Sequence, residues 1–348
     1  MYDLDNLEAI GERKTIELIL GQLEKMPRMP IPFGDDVSAY PIDDSLLSIL
    51  KTDMLIGKTD VPPGMSLWQA ARKAVVMNIS DFAAKGVRPK VILVSLGLPR
   101  RFSQKYAEEI GSGLNAGARE YGAYIIGGDT GEASDLVISI FLFGIAKKNT
   151  LMLRSGAKPG DLIAVTGYFG KTAAGFKILL DRFEARPRIR KILTESVLMP
   201  LARLKDGLAL SRTKAVTSAI DSSDGLAWSL HEIARTNNVG FLVDKPPIAK
   251  EIEKFAKLNG LDTFELVLYG GEEYELVLTI KPNLWGKAEK AVEKVGGKLF
   301  RIGKVIAERQ FLMEIDGKRS VVEPRGWEHF RSTSEAAMFN LEPHSNHN

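Results

Sequence analysis

Cysteine is absent from this chain of 348 residues. Its absence excludes disulfide bonds, thiolate metal sites, cysteine nucleophiles and thiol redox switches, and it fits a reducing cytoplasm. Histidine is scarce as well, and only His231 and His329 lie before residue 331. The sequence therefore offers few of the ligands that zinc and copper prefer.

Long hydrophobic runs are also missing. The longest, LVISIFLFGIA at residues 136–146, is too short to span a bilayer and predicts a buried strand. The N-terminus carries acid where a secretory signal would carry Lys or Arg, so we expect no signal peptide and no membrane partner. The net charge of +3 arises without a block of Lys or Arg, which disfavours a nucleic-acid partner.

The residues that are present indicate a soluble protein of two domains. Apolar residues make up 45% and charged residues 26% of the chain, as is typical of globular proteins. Strands alternate with helices, which indicates the α/β class. A polar link at residues 147–161 divides the pattern, so we predict domains over residues 1–150 and 151–330, followed by a frayed tail at 331–348.

Aspartates recur where apolar runs end, each beside Gly, Ser or Thr. The recurring positions are Asp35 and Asp36 in FGDDV, Asp53 in SILKTD, Asp81 in VVMNISD, Asp129 in AYIIGGD, and Asp221 and Asp224 in AIDSSDG. In open α/β sheets, ligands bind at the carboxyl ends of strands, so we expect these acids to converge.

A structural interpretation exists for each acid taken alone. Ser80 with Asp81, and Ser223 with Asp224, have the composition of helix N-caps, while FGDDV and GGDTG are typical of turns. Repetition favours a cluster instead. Two carboxylates a few ångströms apart repel by about 1 kcal/mol in water and about 4 kcal/mol at an effective dielectric of 20, so cations must offset them.

The available ligands suit Mg²⁺. Carboxylate, hydroxyl and carbonyl oxygens are the donors that Mg²⁺ prefers, and Mg²⁺ usually bridges a few carboxylates to substrate phosphates. A nucleotide polyphosphate is therefore expected as a ligand. Phosphoryl transfer depends mainly on positioning and charge neutralisation, which a carboxylate and metal cluster supplies.

Two further segments are candidates for phosphate contact. GYFGKT at residues 167–172 is not a P-loop, because that motif requires glycine where Val165 stands. We predict a strand-to-helix turn at Gly167 and Gly170, whose amides can face a phosphate. Arg154 is either a phosphate clamp or an exposed linker arginine.

Seven motifs together resemble the thiamine-monophosphate kinase family. They are GDD, TDM, MNISDFAAKG, IIGGDT, RSGAKPGD, DSSDGL and GGEEYEL, and they extend from about residue 30 to Trp327. This family is part of the superfamily of aminoimidazole ribonucleotide synthetase, selenophosphate synthetase and a hydrogenase maturation factor.

The resemblance implies a two-domain α/β (α+β) fold with an N-terminal sheet that forms a barrel across a homodimer and a C-terminal mixed sheet with helices. It also implies ATP-dependent phosphorylation of thiamine phosphate to thiamine diphosphate with several Mg²⁺ ions. The implied metal-binding residues are Asp36, Thr52, Asp53, Asp81, Asp129, Asp221 and Asp224. The implied ATP contacts are Gly128, Asp129, Arg154 and Ser223, and the implied thiamine contacts are Asp60, Glu272 and Trp327.

The chain departs from the bacterial pattern of this family at three positions. Asp60 stands where the bacterial enzymes have a histidine, and Lys51 stands where they have a small hydroxyl residue. Lys51 either costs one metal ligand or supplies a cation to phosphate. Glu273 replaces the aspartate of GGEDYEL, which is a conservative change.

The expected mechanism is direct in-line transfer to a phosphate that is already ionised, so we name no general base and no catalytic residue. Ring closure of the aminoimidazole ribonucleotide synthetase type is an alternative, disfavoured because TDMLIGKTD stands where TDGVGTK is usual. Selenophosphate synthetase and the maturation factor rely on cysteine. A non-catalytic, ATP-binding regulatory protein is the remaining alternative, which Asp60 and Lys51 keep open.

Overall fold

Two mixed sheets organise residues 6–330, which are the residues that the computed structural model describes. The predicted tail at 331–348 lies outside them. The first sheet has five strands in the order β1-β2-β5-β3-β4. Its strands are β1 (Ser38–Pro41), β2 (Leu46–Ile56), β3 (Pro89–Leu98), β4 (Tyr124–Glu132) and β5 (Val137–Lys147). Its helices are α1 (Leu7–Leu20), α2 (Gly57–Asp60), α3 (Leu67–Lys85) and α4 (Gln104–Glu120).

The second sheet has seven strands in the order β12-β11-β8-β10-β6-β9-β7. Its strands are β6 (Leu162–Val165), β7 (Val216–Asp221), β8 (Gly240–Val243), β9 (Leu276–Ile280), β10 (Phe300–Ile306), β11 (Phe311–Ile315) and β12 (Lys318–Val321). Its helices are α5 (Lys171–Leu179), α6 (Pro187–Leu198), α7 (Leu204–Ser211), α8 (Leu226–Asn237), α9 (Lys250–Asn259), α10 (Thr263–Tyr269) and α11 (Trp285–Glu293). Short 3₁₀ turns lie at Lys148–Thr150 and Pro282–Leu284.

Antiparallel pairing dominates both sheets. Within the described residues, only β3 with β4 and β8 with β11 pair in parallel. The predicted mixed α/β fold is confirmed, and the apolar run at 136–146 forms the predicted strand as β5. The barrel across a homodimer is not visible in a single chain.

The first sheet has one buried and one exposed face because side chains alternate along each strand. The buried face packs against α3 and α4 and carries Leu47, Ile49, Leu55, Ile92, Ile138, Ile140 and Leu142. The opposite face is also apolar but lies exposed, with Tyr40, Met54, Leu93, Phe141 and Ile145. The strand register places all five on that face.

Helix α3 lies between the two halves and is buried along most of its length. A capping box between Ser66 and Gln69 starts it, and Gly86, with φ of 65°, ends it. A Cβ at Gly86 would lie 2.4 Å from the Cβ of Ser211, so glycine permits α3 to end against α7. One hydrophobic cluster therefore includes residues of both halves. The division near residue 150 stays a prediction, although β5 ends at Lys147 and β6 begins at Leu162.

Candidate active site

Three of the predicted acids meet where α3 passes between the sheets. Asp36 lies in the turn before β1, Asp81 in the last turns of α3, and Asp221 at the end of β7. One carboxylate oxygen from each lies within 4.8 Å of the others, and all three residues are buried. We call this group the carboxylate cluster. It joins the two halves of the chain at one point.

The negative charge of Asp36 is balanced by two neighbouring cations, Lys85 and Arg154. The Lys85 ammonium lies 2.9 Å from Asp36 Oδ2 and 2.6 Å from Asp35 Oδ1, and it donates to the carbonyl oxygen of Ala219 at 2.8 Å. Arg154 Nε donates to Asp36 Oδ1 at 2.6 Å, and a second guanidinium nitrogen pairs with the same oxygen. Burial by itself would raise the pKa of Asp36, but Lys85 and Arg154 outweigh it and lower that pKa.

Asp81 and Asp221 carry less compensation. Burial raises the pKa of Asp81 well above its ordinary value, despite the opposing charge of Lys51. Burial, and then the charge of Asp36, raise the pKa of Asp221 to about 6, although Ser80 Oγ donates to Asp221 Oδ2 at 2.7 Å. A cation bound beside Asp81 and Asp221 would therefore favour the ionised form of both carboxylates at neutral pH.

Strand β2 divides its neighbouring predicted residues between two faces. Lys51 and Asp53 point toward α3, where the Lys51 ammonium lies 3.1 Å from Asp81 Oδ2 and 4.0 Å from Asp53 Oδ2. Thr52, between them, is exposed on the opposite face, as strand alternation requires. Its side chain is not part of the carboxylate cluster, and its role as a metal ligand stays a prediction.

Gly128 and Asp129 lie on the edge strand β4. A Cβ at position 128 would lie 1.9 Å from the carbonyl oxygen of Val94, so the close approach of β3 and β4 requires glycine. Asp129 pairs with Ser95, which pairs with Ser139 on β5. This register puts the exposed Asp129 on the sheet face opposite Asp53. The structure therefore does not bring Asp129 into the carboxylate cluster.

A strained loop at residues 272–274 lies beside four more of the predicted contacts, Ser223, Asp224, Glu272 and Trp327. Glu272 and Tyr274 have φ of 64° and 52°, a left-handed conformation that is rare outside glycine. The backbone N–H of Glu272 donates to the carbonyl oxygen of Ser223 at 2.6 Å, and that of Trp327 donates to the carbonyl oxygen of Asp224 at 3.0 Å. The loop after β7 is thus linked to two of the three predicted thiamine contacts, Glu272 and Trp327.

The helix-cap interpretations of the two Ser-Asp pairs are wrong. Asp81 lies inside α3, which continues to Lys85. Helix α8 begins after Gly225 and has no side-chain cap, so Asp224 does not cap it. Burial, and then the charge of Glu12, raise the pKa of Asp224 to about 6.

Lys73 is a site residue that the sequence analysis missed. It is fully buried on α3, and its ammonium donates to Glu272 Oε1 at 2.7 Å and to the carbonyl oxygen of Asp60 at 2.9 Å. The Asp60 side chain itself accepts from the backbone N–H of Ile56 at 2.6 Å. The available signal was the presence of Lys73 and Lys85 in the mainly apolar segment AARKAVVMNISDFAAKG.

The turn at residues 166–170 joins β6 to α5, as predicted. A backbone N–H at the N-terminus of α5 is already hydrogen-bonded to a carboxylate of the protein. The backbone N–H of Thr172 donates to Glu273 Oε1 at 3.1 Å, so the Glu273 carboxylate occupies the place expected for a phosphate. A Cβ at Gly167 would lie 2.1 Å from Glu275 Oε1, which explains glycine there. Burial raises the pKa of Glu273 to about 7, despite the hydrogen bond from Thr172.

The donor set of the carboxylate cluster fits Mg²⁺. Its three members offer carboxylate oxygens. The hydroxyl of Ser80, which donates to Asp221, is a further oxygen close by. Hard oxygen donors favour Mg²⁺ over zinc or copper. In the part of the chain that the structure describes, no helix combines the length and apolar character needed to cross a membrane.

Comparison with known proteins decides the family. Residues 34–146 match the AIR synthase related protein N-terminal domain, and residues 158–315 match its C-terminal domain. Thiamine-monophosphate kinase of Nitrosopumilus maritimus is 36% identical over 86% of this chain and 93% of its own. The chain belongs to the thiamine-monophosphate kinase family. The same enzyme of Pyrococcus horikoshii is 37% identical over 86% of this chain and 91% of its own.

A solved structure agrees with this family assignment. AaThiL complexed with AMPPCP and TMP superposes with a TM-score of 0.81 and 28% identity, covering 93% of this chain and 98% of that one. The predicted family membership is therefore confirmed.

Proposed function

We propose that this chain transfers the γ-phosphoryl group of ATP to thiamine phosphate and forms thiamine diphosphate. The carboxylate cluster of Asp36, Asp81 and Asp221 is the observation that carries the proposal. It is an oxygen-donor site for divalent cations, placed between the two halves of a chain whose relatives are thiamine-monophosphate kinases. A family member binds AMPPCP, an ATP analogue, together with TMP.

The residues that would hold Mg²⁺ are Asp36, Asp81 and Asp221, with Asp53 beside them across Lys51. Bound Mg²⁺ would neutralise phosphate charge and orient the two phosphates for in-line transfer. Thr52, Asp129 and Asp224 are further ligands in this proposal, and their side chains lie outside the carboxylate cluster. Ser80 fixes the orientation of Asp221, because its hydroxyl donates to one carboxylate oxygen.

Substrate contacts are assigned to the loops around the carboxylate cluster. Arg154 and Ser223, with Gly128 and Asp129, are the proposed ATP contacts. Arg154 also pairs with Asp36, so a phosphate would share its guanidinium with that carboxylate. Glu272 and Trp327 are the proposed thiamine contacts, and both lie at the strained loop beside Asp224. Asp60 is the third proposed thiamine contact. The Lys73 ammonium donates both to its backbone carbonyl oxygen and to the Glu272 carboxylate.

The active form in this proposal is a homodimer in the cytoplasm. The exposed apolar face of the first sheet, defined by Tyr40, Met54, Leu93, Phe141 and Ile145, supports the dimer. A contiguous apolar face of this kind is typical of a protein interface. A second copy of the same sheet would cover it and close the predicted barrel.

A direct assay tests the proposed reaction. Purified protein is incubated with ATP, Mg²⁺ and thiamine phosphate, and thiamine diphosphate is measured by chromatography. We expect product that depends on all three components. ATP binding without product would overturn the kinase assignment and favour a regulatory ATP-binding protein.

A further inference from the structure

We propose that Lys51 is a built-in cation of the active site and takes the place of one divalent ion. This inference rests on the proposed Mg²⁺ site. The Lys51 ammonium lies 3.1 Å from Asp81 Oδ2 and 4.0 Å from Asp53 Oδ2. It stands between two carboxylates that a bridging ion would otherwise join.

The position of Lys51 follows from the fold. Strand β2 directs it toward α3, and only 19% of its side chain is exposed. Mg²⁺ requires oxygen ligands at about 2.0–2.1 Å in nearly octahedral geometry. An ion placed between Asp53 and Asp81 would have to displace the ammonium group, so both cannot occupy this position together.

Charge balance around the carboxylate cluster separates into two parts. The first contains Asp35, Asp36 and Glu232, which face Lys85, Arg154 and Arg235, so that three acids stand against three cations. Asp53, Asp81 and Asp221 have Lys51 as their shared cation, since its charge acts on all three. The second part therefore retains two negative charges, which one divalent ion neutralises. We expect one resident divalent ion per chain before nucleotide binds.

Counting bound Mn²⁺ tests this role without any turnover. Free Mn²⁺ is measured by electron paramagnetic resonance while nucleotide-free protein is titrated. Lys51→Met removes the charge with little loss of length, Lys51→Arg retains it, and Lys147→Met is the matched control at the far end of the same strand pair. We expect one ion per chain for the wild type, for Lys51→Arg and for Lys147→Met.

For Lys51→Met we expect at least one more Mn²⁺ per chain and a larger rise of Tm on adding Mn²⁺. Equal or lower counts in Lys51→Met, or a Lys51→Arg count that matches Lys51→Met, would overturn the proposal. The Tm without metal establishes that each variant is folded. Failure of the kinase assay bears on the proposed reaction alone, whereas equal ion counts remove the role of Lys51 even in an active enzyme.

Discussion

The ammonium of Lys73 and the carboxylate of Glu272 lie 2.7 Å apart and connect α3 to the strained loop of the C-terminal half. Lys73 is fully buried, and 24% of the Glu272 side chain is exposed. Burial raises the pKa of Glu272, and Lys73 opposes that rise. One ion pair therefore positions a proposed substrate contact and links the two halves.

Lys73→Met should destabilise the protein by about 2–3 kcal/mol, because it leaves a largely buried carboxylate without its partner. Urea unfolding measures the loss. Lys177→Met is the control, since Lys177 pairs with Asp181 at 3.0 Å on the surface and should cost less than about 1 kcal/mol. The double variant with Glu272→Gln should recover part of the loss. A cost for Lys73→Met no larger than the control would contradict this role.

Asp81→Asn and Asp221→Asn should each lower kcat by about two orders of magnitude or more with the fold intact. Each change removes a charge that the proposed Mg²⁺ ions require. Without metal, both variants should be at least as stable as the wild type, because repulsion within the carboxylate cluster decreases. Thiamine diphosphate formation and Tm with and without Mg²⁺ measure both effects.

The exposed Asp44 provides a control for these substitutions. Asp44→Asn removes one acid outside the carboxylate cluster and should leave turnover unchanged. Normal turnover in both Asp81→Asn and Asp221→Asn would refute their assignment to the metal site.

The protonation of Glu273 should make stability fall as pH rises. Its folded pKa of about 7 lies above the ordinary value of 4.5, so the folded protein binds this proton more tightly than the unfolded chain does. The stabilisation is fully present below about pH 4.5 and is lost as pH rises through about 7. The shift corresponds to roughly 3 kcal/mol.

Glu273→Gln mimics the protonated group at every pH. Relative to the wild type, it should be of similar stability near pH 4.5 and more stable by roughly 3 kcal/mol above pH 7.5. Urea unfolding across this range tests the difference, with Glu308→Gln as a surface control. A constant difference between Glu273→Gln and the wild type at all pH values would exclude this titration.

Phe141→Arg should convert the proposed dimer into monomers. Phe141 lies in the middle of the exposed apolar face, paired with Thr52 on one side and Leu93 on the other. A charge there would be desolvated by a partner sheet. Light scattering after size-exclusion chromatography should give half the wild-type mass, whereas Leu201→Arg, at an exposed apolar residue elsewhere, should not change it. A monomeric wild type would contradict the dimer directly.

The convergence of acids was predicted for a reason that does not apply. The expected rule concerns carboxyl ends of parallel strands, but these sheets are mainly antiparallel and Asp81 lies inside a helix. Asp36, Asp81 and Asp221 meet because α3 passes between the sheets. Asp129 follows an apolar run just as Asp221 does, yet strand register directs it to another face.

The sequence by itself determined the family and predicted the chemistry of the site. Missing cysteine and scarce histidine leave oxygen donors, and the ordered acidic motifs indicate a Mg²⁺-dependent phosphotransfer enzyme. Only the tertiary structure decided which acids meet and which cations oppose them. The sequence marked Lys51 only as a departure from the family pattern, and it assigned no role to Lys73 or Lys85. Their energetic weight comes from burial and from distances across the fold, because a charge interacts strongly only where water is excluded.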